Sequence, residues 1–158
     1  MTKLVQFGLA ALFGVITFQA TAAQALYRRT PGSNCVPSIA GVTANYGPAE
    51  IQSVGGRLDV MCALPEDDRL PKQNVTMVHV HGHNAGGTVF AEACEMHWFN
   101  ETLNCTQFFN STATEYAFLI DGSLISGIFN SSNAADTAGV YVVLPSTGST
   151  VRQIFQGN

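Results

Sequence analysis

All four histidines of this sequence fall within nineteen residues, at His79, His81, His83 and His97. Side chains alternate between the two faces of a β-strand, so His79 and His81 are expected on one face. His83 joins them if the strand continues past Gly82. Two imidazoles spaced in this way can share a Zn²⁺ or Cu²⁺ ion, with either His83 or His97 as a further ligand. The alternative is that these histidines are half-exposed polar residues of a strand.

Two segments around the histidines resemble the zinc strands of α-type carbonic anhydrases. They are His79-Val80-His81 and Ala91-Glu92-Ala93-Cys94-Glu95-Met96-His97-Trp98. That family carries a His-x-His pair and then an Ala-Glu-x-His-x-x-His-Trp strand. The resemblance implies that His79 and His81 are the first two zinc ligands. The third position holds Cys94, which cannot bind zinc if it forms a disulfide, and His97 matches a histidine that is not a ligand.

The histidine segment also resembles the His-x-His motif of cupins, through His81-Gly82-His83 or His79-Val80-His81. In that family a glutamate ligand follows within a few residues. Here residues 84–89 contain no acid. The cupin resemblance therefore lacks its most diagnostic ligand.

Patterns for nucleophilic or acid–base catalysis are not found in the sequence. The segment from Gly122 to Gly127 lacks the glycine two residues before Ser126 that a nucleophile elbow requires. The spacing of the carboxylates Glu92, Glu95 and Glu115 does not single out a glycosidase pair. We therefore predict a protein that is not an enzyme.

Several aromatic residues offer a surface for stacking on sugar rings. They are Trp98 and Phe99 in the run Trp98-Phe99-Asn100, with Phe108, Phe109 and Tyr116. Aromatic side chains in a β-sandwich also fill the core, because they bury large apolar areas. A carbohydrate-binding module predicts that some of these rings form an exposed strip near Trp98.

The N-terminus predicts export. Lys3 precedes an apolar stretch of about 15 residues, and Ala23-Gln24-Ala25 offers a small-residue cleavage site, as in a signal peptide. The stretch is shorter than the roughly 20 residues that cross a bilayer. We therefore expect a signal peptide over residues 1–25, one domain over residues 26–158, and a secreted or periplasmic protein that is not membrane-bound after cleavage.

The charge of the mature chain limits its partners. Six cations face eleven carboxylates after removal of Lys3, which gives a net charge near −5. Binding to phosphate backbones requires clustered cations, so nucleic acid is not an expected partner. The remaining partner classes are a cell surface, a glycan or a second copy of the chain. The only cofactor expected is the zinc or copper ion of the histidine strand.

The four cysteines, Cys35, Cys62, Cys94 and Cys105, predict two disulfides in an exported protein. Three connectivities are open. We favour Cys35–Cys62 and Cys94–Cys105, because sequential pairs suit neighbouring strands and hairpins. Metal binding by thiolates is less well supported, since no pair has Cys-x-x-Cys spacing.

Short runs of β-forming residues alternate with turn residues along the mature chain. These runs predict a single all-β domain, an antiparallel jelly-roll or immunoglobulin-like sandwich of about eight strands. Residues 26–37 are predicted to be a turn-rich arm and residues 133–138 one turn of helix. The predicted strands are 41–46, 57–64, 74–81, 88–98, 114–120, 123–129, 139–144 and 150–155.

The chain as a whole resembles exported β-sandwich proteins of proteobacteria that have two disulfides and no characterised activity. The resemblance is carried by Cys35-Val36-Pro37, by Val60-Met61-Cys62-Ala63-Leu64-Pro65 and by Cys94 after a β-rich strand. In those proteins the closing strand carries the fourth cysteine, whereas this chain has Tyr141-Val142-Val143 there. The sequence thus predicts an exported, non-catalytic binding or structural module. A metal-binding protein or metalloenzyme and a carbohydrate-binding module are the alternatives.

Overall fold

The computed structural model describes residues 26–39, 42–97 and 102–158. The predicted signal peptide, residues 1–25, lies outside the described residues. The strands of the described chain are β1 (Tyr27–Pro31), β2 (Val36–Pro37), β3 (Ala44–Tyr46), β4 (Ile51–Ser53), β5 (Leu58–Ala63), β6 (Met77–His83), β7 (Val89–His97), β8 (Thr102–Cys105), β9 (Phe109–Ser111), β10 (Glu115–Asp121), β11 (Thr137–Leu144) and β12 (Thr150–Gly157). The one α-helix among these residues is α1 (Gly122–Ile125).

The strands of the described ranges form two antiparallel sheets of six strands each. The first sheet has the order β10-β6-β12-β4-β3, and β1 pairs with β12 on the same edge as β4. The second sheet has the order β2-β5-β11-β7-β8, and β9 pairs with the beginning of β7. Both sheets contribute to one apolar core, so the predicted antiparallel β-sandwich is confirmed.

The core follows from the two-residue period of the strands. In β6 the residues Val78, Val80 and Gly82 are buried, and the residues between them are half-buried on the opposite face. In β10 the pattern alternates strictly between buried and exposed along all seven residues. The second sheet contributes alternate residues of β5, β7 and β11, namely Leu58, Val60, Cys62, Val89, Ala91, Ala93, Val140 and Val142.

Both expected disulfides are present. Cys35, between β1 and β2, is bonded to Cys62 of β5, and both are fully buried. Cys94 of β7 is bonded to Cys105, its direct pairing partner in β8. Each bond removes conformational freedom from the unfolded chain, which stabilises the fold by about 3 kcal/mol in the loop-closure description. Both bonds hold the second sheet.

The N-terminal segment differs from the expected turn-rich arm. It contains β1, which pairs along its whole length with β12, and the two-residue strand β2 beside β5. Prolines end both strands, which is compatible with their place at the sheet edges. Such edge strands carry little alternation, and together with the very short strands they raise the described number above the expected eight.

The predicted strand over residues 123–129 is wrong. The segment begins with α1, whose N-terminus is capped by Asp121 accepting a hydrogen bond from the backbone of Ser123. Ile125 and Phe129 are both buried, at the four-residue spacing of a helical turn.

No helix among the described residues has the length and apolarity needed to span a membrane.

The helical turn expected over residues 133–138 is also absent from the described chain. Asn133 instead forms a hydrogen-bonded turn, with its side-chain oxygen accepting from the backbone of Ala135 and its carbonyl oxygen from that of Asp136. β11 begins directly afterwards at Thr137. The asparagine and aspartate therefore end a loop and do not start a helix.

A charged pair is buried at one end of the sandwich. Lys72 Nζ lies 3.3 Å from Glu95 Oε1, with the two side chains 2% and 0% exposed. The ammonium also donates to the carbonyl oxygens of Asn133 (2.9 Å) and Asp136 (2.5 Å). The Lys72 charge is thus both paired and hydrogen-bonded, which fixes the 133–136 loop against β7, whereas the buried Glu95 oxygens have only the ion pairs.

Gly82 lies where a tyrosine crosses the inner face of the first sheet. The Tyr116 hydroxyl donates to the carbonyl oxygen of Thr150 at 2.8 Å, and these residues belong to the strands on either side of β6. A Cβ atom at position 82 would lie 2.3 Å from Tyr116 Oη and 2.0 Å from that carbonyl oxygen. Position 82, between His81 and His83, therefore has no room for a side chain, which explains the glycine.

Gly82→Ala is expected to lower the free energy of unfolding by about 1–3 kcal/mol, because the methyl group overpacks the core. Urea denaturation of the oxidised protein measures the change. Gly55→Ala is the matched control, since a Cβ atom there has no neighbour within 4 Å. Equal midpoints for the two variants would show that Tyr116 can move aside without cost.

Candidate functional site

The outer face of the first sheet carries three of the four histidines. β6 continues through Gly82 to His83, beyond the predicted end of the strand at His81, and places Met77, His79, His81 and His83 on the face opposite the core. The register with the neighbouring strands decides which side chains surround them. The histidines of β6 therefore share one solvent-facing surface in the middle of the sheet.

Antiparallel pairing builds transverse rows of side chains across this surface. One row runs from Leu119 of β10 through His79 and Phe155 of β12 to Arg29 of β1. With strands about 4.8 Å apart, this row is roughly 14 Å wide. The next row places Ala117 and Gln153 on either side of His81 in the same way.

The rings of the two rows contact one another. The His79 and His81 rings are stacked with centroids 5.9 Å apart and an interplanar angle of 23°. Phe155 meets His81 edge to face, with centroids 5.2 Å apart. Arg29 Cζ lies 4.9 Å from the centroid of Phe155, within the range of a cation–π interaction.

A fourth ring completes the cluster at the edge of the sheet. Tyr27 of β1 pairs with Gly157 of β12, and a Cβ atom at Gly157 would lie 2.7 Å from Tyr27 Cδ1. The glycine thus lets the tyrosine ring lie against the sheet while 55% of the residue stays exposed. We call Tyr27, His79, His81 and Phe155 the ring strip. With Met77 they line a shallow depression of about 220 Å³.

Sequence reasoning identified the two histidines of the ring strip but missed Tyr27, Arg29 and Phe155. The alternation of β12 predicts that Phe155 points away from the core. The sequence contains no local signal that β12 pairs with β6 and β1, because these strands are far apart along the chain. Tyr27 and Phe155 therefore reach the histidines through long-range pairing, whereas His79 and His81 meet within one strand.

Polar side chains cluster at the His83 end of the same face. His83 Nδ1 lies 2.9 Å from Glu115 Oε1, and Arg152 Nη1 donates to Glu115 Oε2 at 2.6 Å. The hydrogen bond to His83 and the charge of Arg152 hold the pKa of the Glu115 carboxyl below its usual range. His83 therefore belongs to a charged cluster at one end of the ring strip.

The structure does not bring His97 to the other histidines, contrary to expectation. His97 ends β7 in the second sheet, where its Nδ1 lies 2.9 Å from Asp136 Oδ2 and its Nε2 lies 4.0 Å from Glu95 Oε2. The histidines of β6 face outward from the first sheet, so the core separates them from β7. His97 thus lies beside two buried carboxylates, Asp136 of the 133–136 loop and Glu95 of β7.

The structure also tests the zinc ligands implied by the carbonic anhydrase resemblance. Within the described ranges, the one group of three histidine, cysteine or acidic residues with donor atoms within 4.8 Å of one another is Glu92, Cys94 and Cys105. Its two sulfurs are bonded to each other. Cys94 is therefore not available as the third ligand that the resemblance would require.

Only some residues of the aromatic strip expected near Trp98 belong to the described chain, and they do not form one exposed strip. Trp98, Phe99 and Asn100 lie outside the described residues. Phe108 is 53% exposed and contacts Phe90 edge to face, whereas Tyr116 is buried in the core. Phe109 packs partly against the core. The cluster of exposed rings described above lies on the other sheet.

A second depression, of about 270 Å³, lies on the outer face of the second sheet. Its walls are apolar and include Val36, Met61, Met96 and Leu103 beside the Cys94–Cys105 bond. Thr137 and Asn34 are its polar lining residues. Because its lining contains no aromatic ring and no titratable side chain, the first sheet carries the better candidate site.

Burial lowers the pKa of the His81 imidazole below its usual value of 6.5, and the neighbouring His79 lowers it further. The unfolded chain therefore takes up this proton first as the pH falls, so stability decreases as the pH falls below about 6.5. We expect an NMR titration midpoint for His81 below 6.5. His79→Gln should raise the midpoint while leaving it below 6.5, because burial is the larger cause.

His97→Gln is the control for this titration, since His97 lies in the other sheet and should leave the His81 midpoint unchanged. A His81 midpoint at or above 6.5 in the unaltered protein would contradict the burial of this ring among its neighbours. The same spectra report whether the variants keep the fold.

Comparisons with known proteins give a similarity of fold at low identity. No protein-family model matches the sequence, and no curated protein matches it. A point mutant of a family 29 carbohydrate-binding module aligns with a TM-score of 0.49 and 9% identity over 85% of this chain and 86% of that chain. The low-affinity xylan-binding module CBM86 from Roseburia intestinalis aligns with a TM-score of 0.48 and 11% identity over 84% of this chain and 95% of that chain.

Proposed function

We propose that the protein is an exported, non-catalytic module that binds glycan chains through the ring strip. The observation that carries this proposal is the cluster of four solvent-facing rings in one shallow depression. A pyranose ring has an apolar C–H face and a rim of hydroxyl groups. A shallow, ring-lined depression with a few polar groups at its edges suits both properties.

The polar groups beside the rings suit the hydroxyl rim of a sugar. Gln153 flanks His81, and its amide can both donate and accept hydrogen bonds. The imidazole nitrogens of His79 and His81 offer further donors and acceptors within the strip. The lowered pKa of His81 favours its neutral form, which keeps one donor and one acceptor near neutral pH.

The absence of catalysis is part of the proposal and is supported by the placement of carboxylates on this face. Glu115 and Asp121 both point outward from β10 but are six residues apart, or about 20 Å along the strand. A glycosidase pair is separated by roughly 5–9.5 Å. The carboxylate nearer to Glu115 is Glu50, and both contact the guanidinium of Arg152, at 3.5 Å for Glu50 and 2.6 Å for Glu115. Both carboxylates are thus held as ion-pair partners of one arginine, and Glu115 also contacts His83.

Export is supported by the disulfides. Two disulfides in a domain of this size are typical of proteins in oxidising compartments, such as the periplasm or the extracellular space. Both locations place a glycan-binding surface within reach of cell-wall or environmental polysaccharides. The predicted signal peptide provides the route.

Phe155→Ala and Tyr27→Ala are each expected to weaken glycan binding by about tenfold, because each removes one stacking ring. Affinity electrophoresis of the disulfide-oxidised protein in gels containing xylan, glucomannan, cellulose derivatives or polygalacturonate measures the retardation. Phe108→Ala is the matched control, since Phe108 is an exposed ring on the second sheet. Retardation by no glycan, or equal retardation of all variants, would remove the proposal.

Copper binding is a second candidate function of the same depression. Met77, His79 and His81 line it together, which places a thioether beside two imidazoles. Thioether sulfur favours Cu(I), and imidazole suits Cu(II), so this set fits copper better than zinc. The set replaces the expected ligands His83 and His97, which have other partners.

The copper candidate predicts one equivalent of Cu(I) held with a dissociation constant below micromolar. Met77→Leu and His79→Ala should each weaken it, whereas His83→Ala should not. Competition with a chromophoric Cu(I) chelator measures the affinity. Binding that is weaker than micromolar, or equal in Met77→Leu, would exclude this candidate and would not affect glycan binding measured in the presence of a chelator.

A further inference from the structure

We infer that the glycan bound by the ring strip is anionic and that Arg29 binds its carboxylate or sulfate group. This inference rests on the proposed function and names the substrate class of that site. It is carried by a guanidinium group that lies beside the rings and has no carboxylate partner among the described residues. Three observations support it: the position of Arg29, its lack of an ion pair and the distance of acidic groups from it.

The position of Arg29 is fixed by the strand pairing. Arg29 pairs with Phe155, and its guanidinium carbon lies 4.9 Å from the centre of that ring. Stacking on the ring restrains a long side chain, so less conformational entropy is lost when an anion binds. The guanidinium therefore stands at the edge of the surface on which a sugar ring would stack.

Among the described residues, Arg29 has no ion-pair partner. Four other cations in the described chain have carboxylate partners: Arg28 with Asp67, Arg57 with Asp59, Lys72 with Glu95, and Arg152 with Glu115. Among the described residues no carboxylate lies within 4.0 Å of the Arg29 guanidinium. The other arginine of the described ranges without an ion pair is Arg69, which is exposed in the loop that contains Asp67 and Leu70 and does not line the depression.

Acidic groups on the same face are too distant to compensate the charge of Arg29. Asp121 and Glu115 belong to β10, three strands away from β1, which corresponds to about 14 Å. This distance exceeds the Debye length of about 10 Å at 0.1 M salt. The carboxylate of Asp67 is nearer to β1, but it is paired with Arg28, the neighbour of Arg29 in that strand. Arg29 therefore keeps its charge available for an anion, although the protein is acidic overall.

A guanidinium group suits the anionic groups of polysaccharides. Its parallel N–H donors match the two oxygens of a carboxylate or of a sulfate ester. A uronic acid offers a carboxylate beside the C–H face of its ring, so one sugar unit can stack on Phe155 or Tyr27 while its anion reaches Arg29. A neutral sugar would leave the guanidinium without a partner.

The test compares two polymers with the same backbone, polygalacturonate and its fully methyl-esterified form. We expect at least about tenfold tighter binding of the acid form at 50 mM salt, and a loss of this preference in Arg29→Gln. Arg29→Lys should keep part of the preference, because the charge remains and the fork is lost. Arg69→Gln is the matched control and should behave as the unaltered protein.

Dextran sulfate and dextran form a second polymer pair that separates sulfate from carboxylate. A preference for either charged polymer that depends on Arg29 supports the inference and identifies the anion. Equal binding of charged and neutral polymers, unchanged in Arg29→Gln, would overturn it and leave the proposed function standing. Binding of no polymer in either pair, together with no retardation in the wider glycan series, would overturn both.

Discussion

The position of β6 between β10 and β12 is the constraint on which the other features of the first sheet depend. Its two-residue period sends Val78, Val80 and Gly82 into the core and the histidines to the outer face. A shift of the register by one residue would place imidazoles in the core and valines in solvent. The burial of Val78, Val80 and Gly82 therefore keeps the histidines of β6 on the outer face.

Gly82 connects this constraint to the core. The glycine leaves room for the Tyr116 side chain to cross β6 and donate to the Thr150 carbonyl oxygen. The buried hydroxyl is thereby satisfied, and β10 and β12 are linked over the strand that separates them. The same strand therefore organises packing on its inner face and the ring strip on its outer face.

The two sheets differ in the bonds that hold them together and in the surface that they expose. Both disulfides hold the second sheet, and the buried Lys72–Glu95 pair anchors a loop to it. Within the described chain, the strands of the first sheet carry no disulfide and are held by pairing, packing and side-chain contacts such as Tyr116–Thr150 and Glu115–Arg152. A rigid, cross-linked sheet on one side supports a sheet whose outer face is free of covalent constraints and open to solvent.

Much of the fold could be predicted from the sequence, because alternation and cysteine number are local signals. The alternation of β-forming runs with turn residues predicted the sandwich, and the sequential pairing of the cysteines predicted the disulfides. Residues 123–129 were misassigned because buried Ile125 and Phe129 fit an apolar run as well as a helical turn. Sequence alone placed two imidazoles on one face.

The rest of the site depends on which strands become neighbours, and this property is not local. Phe155 and Arg29 reach the histidines only because β12 enters the sheet between β6 and β1. His97 is close to the other histidines in sequence but belongs to the other sheet. Proximity along the chain was therefore a poor guide to proximity in space.

The placement of β12 also determines the order in which the molecule can be completed. β12 is formed by residues 150–157, yet it lies between β6 and β1, which are synthesised much earlier. Until these last residues emerge, both earlier strands expose unpaired backbone edges and cannot bring Tyr27 and His79 together. The first sheet therefore cannot be completed before residues 150–157 are available to pair, and the edges of β6 and β1 stay open to other strands until then.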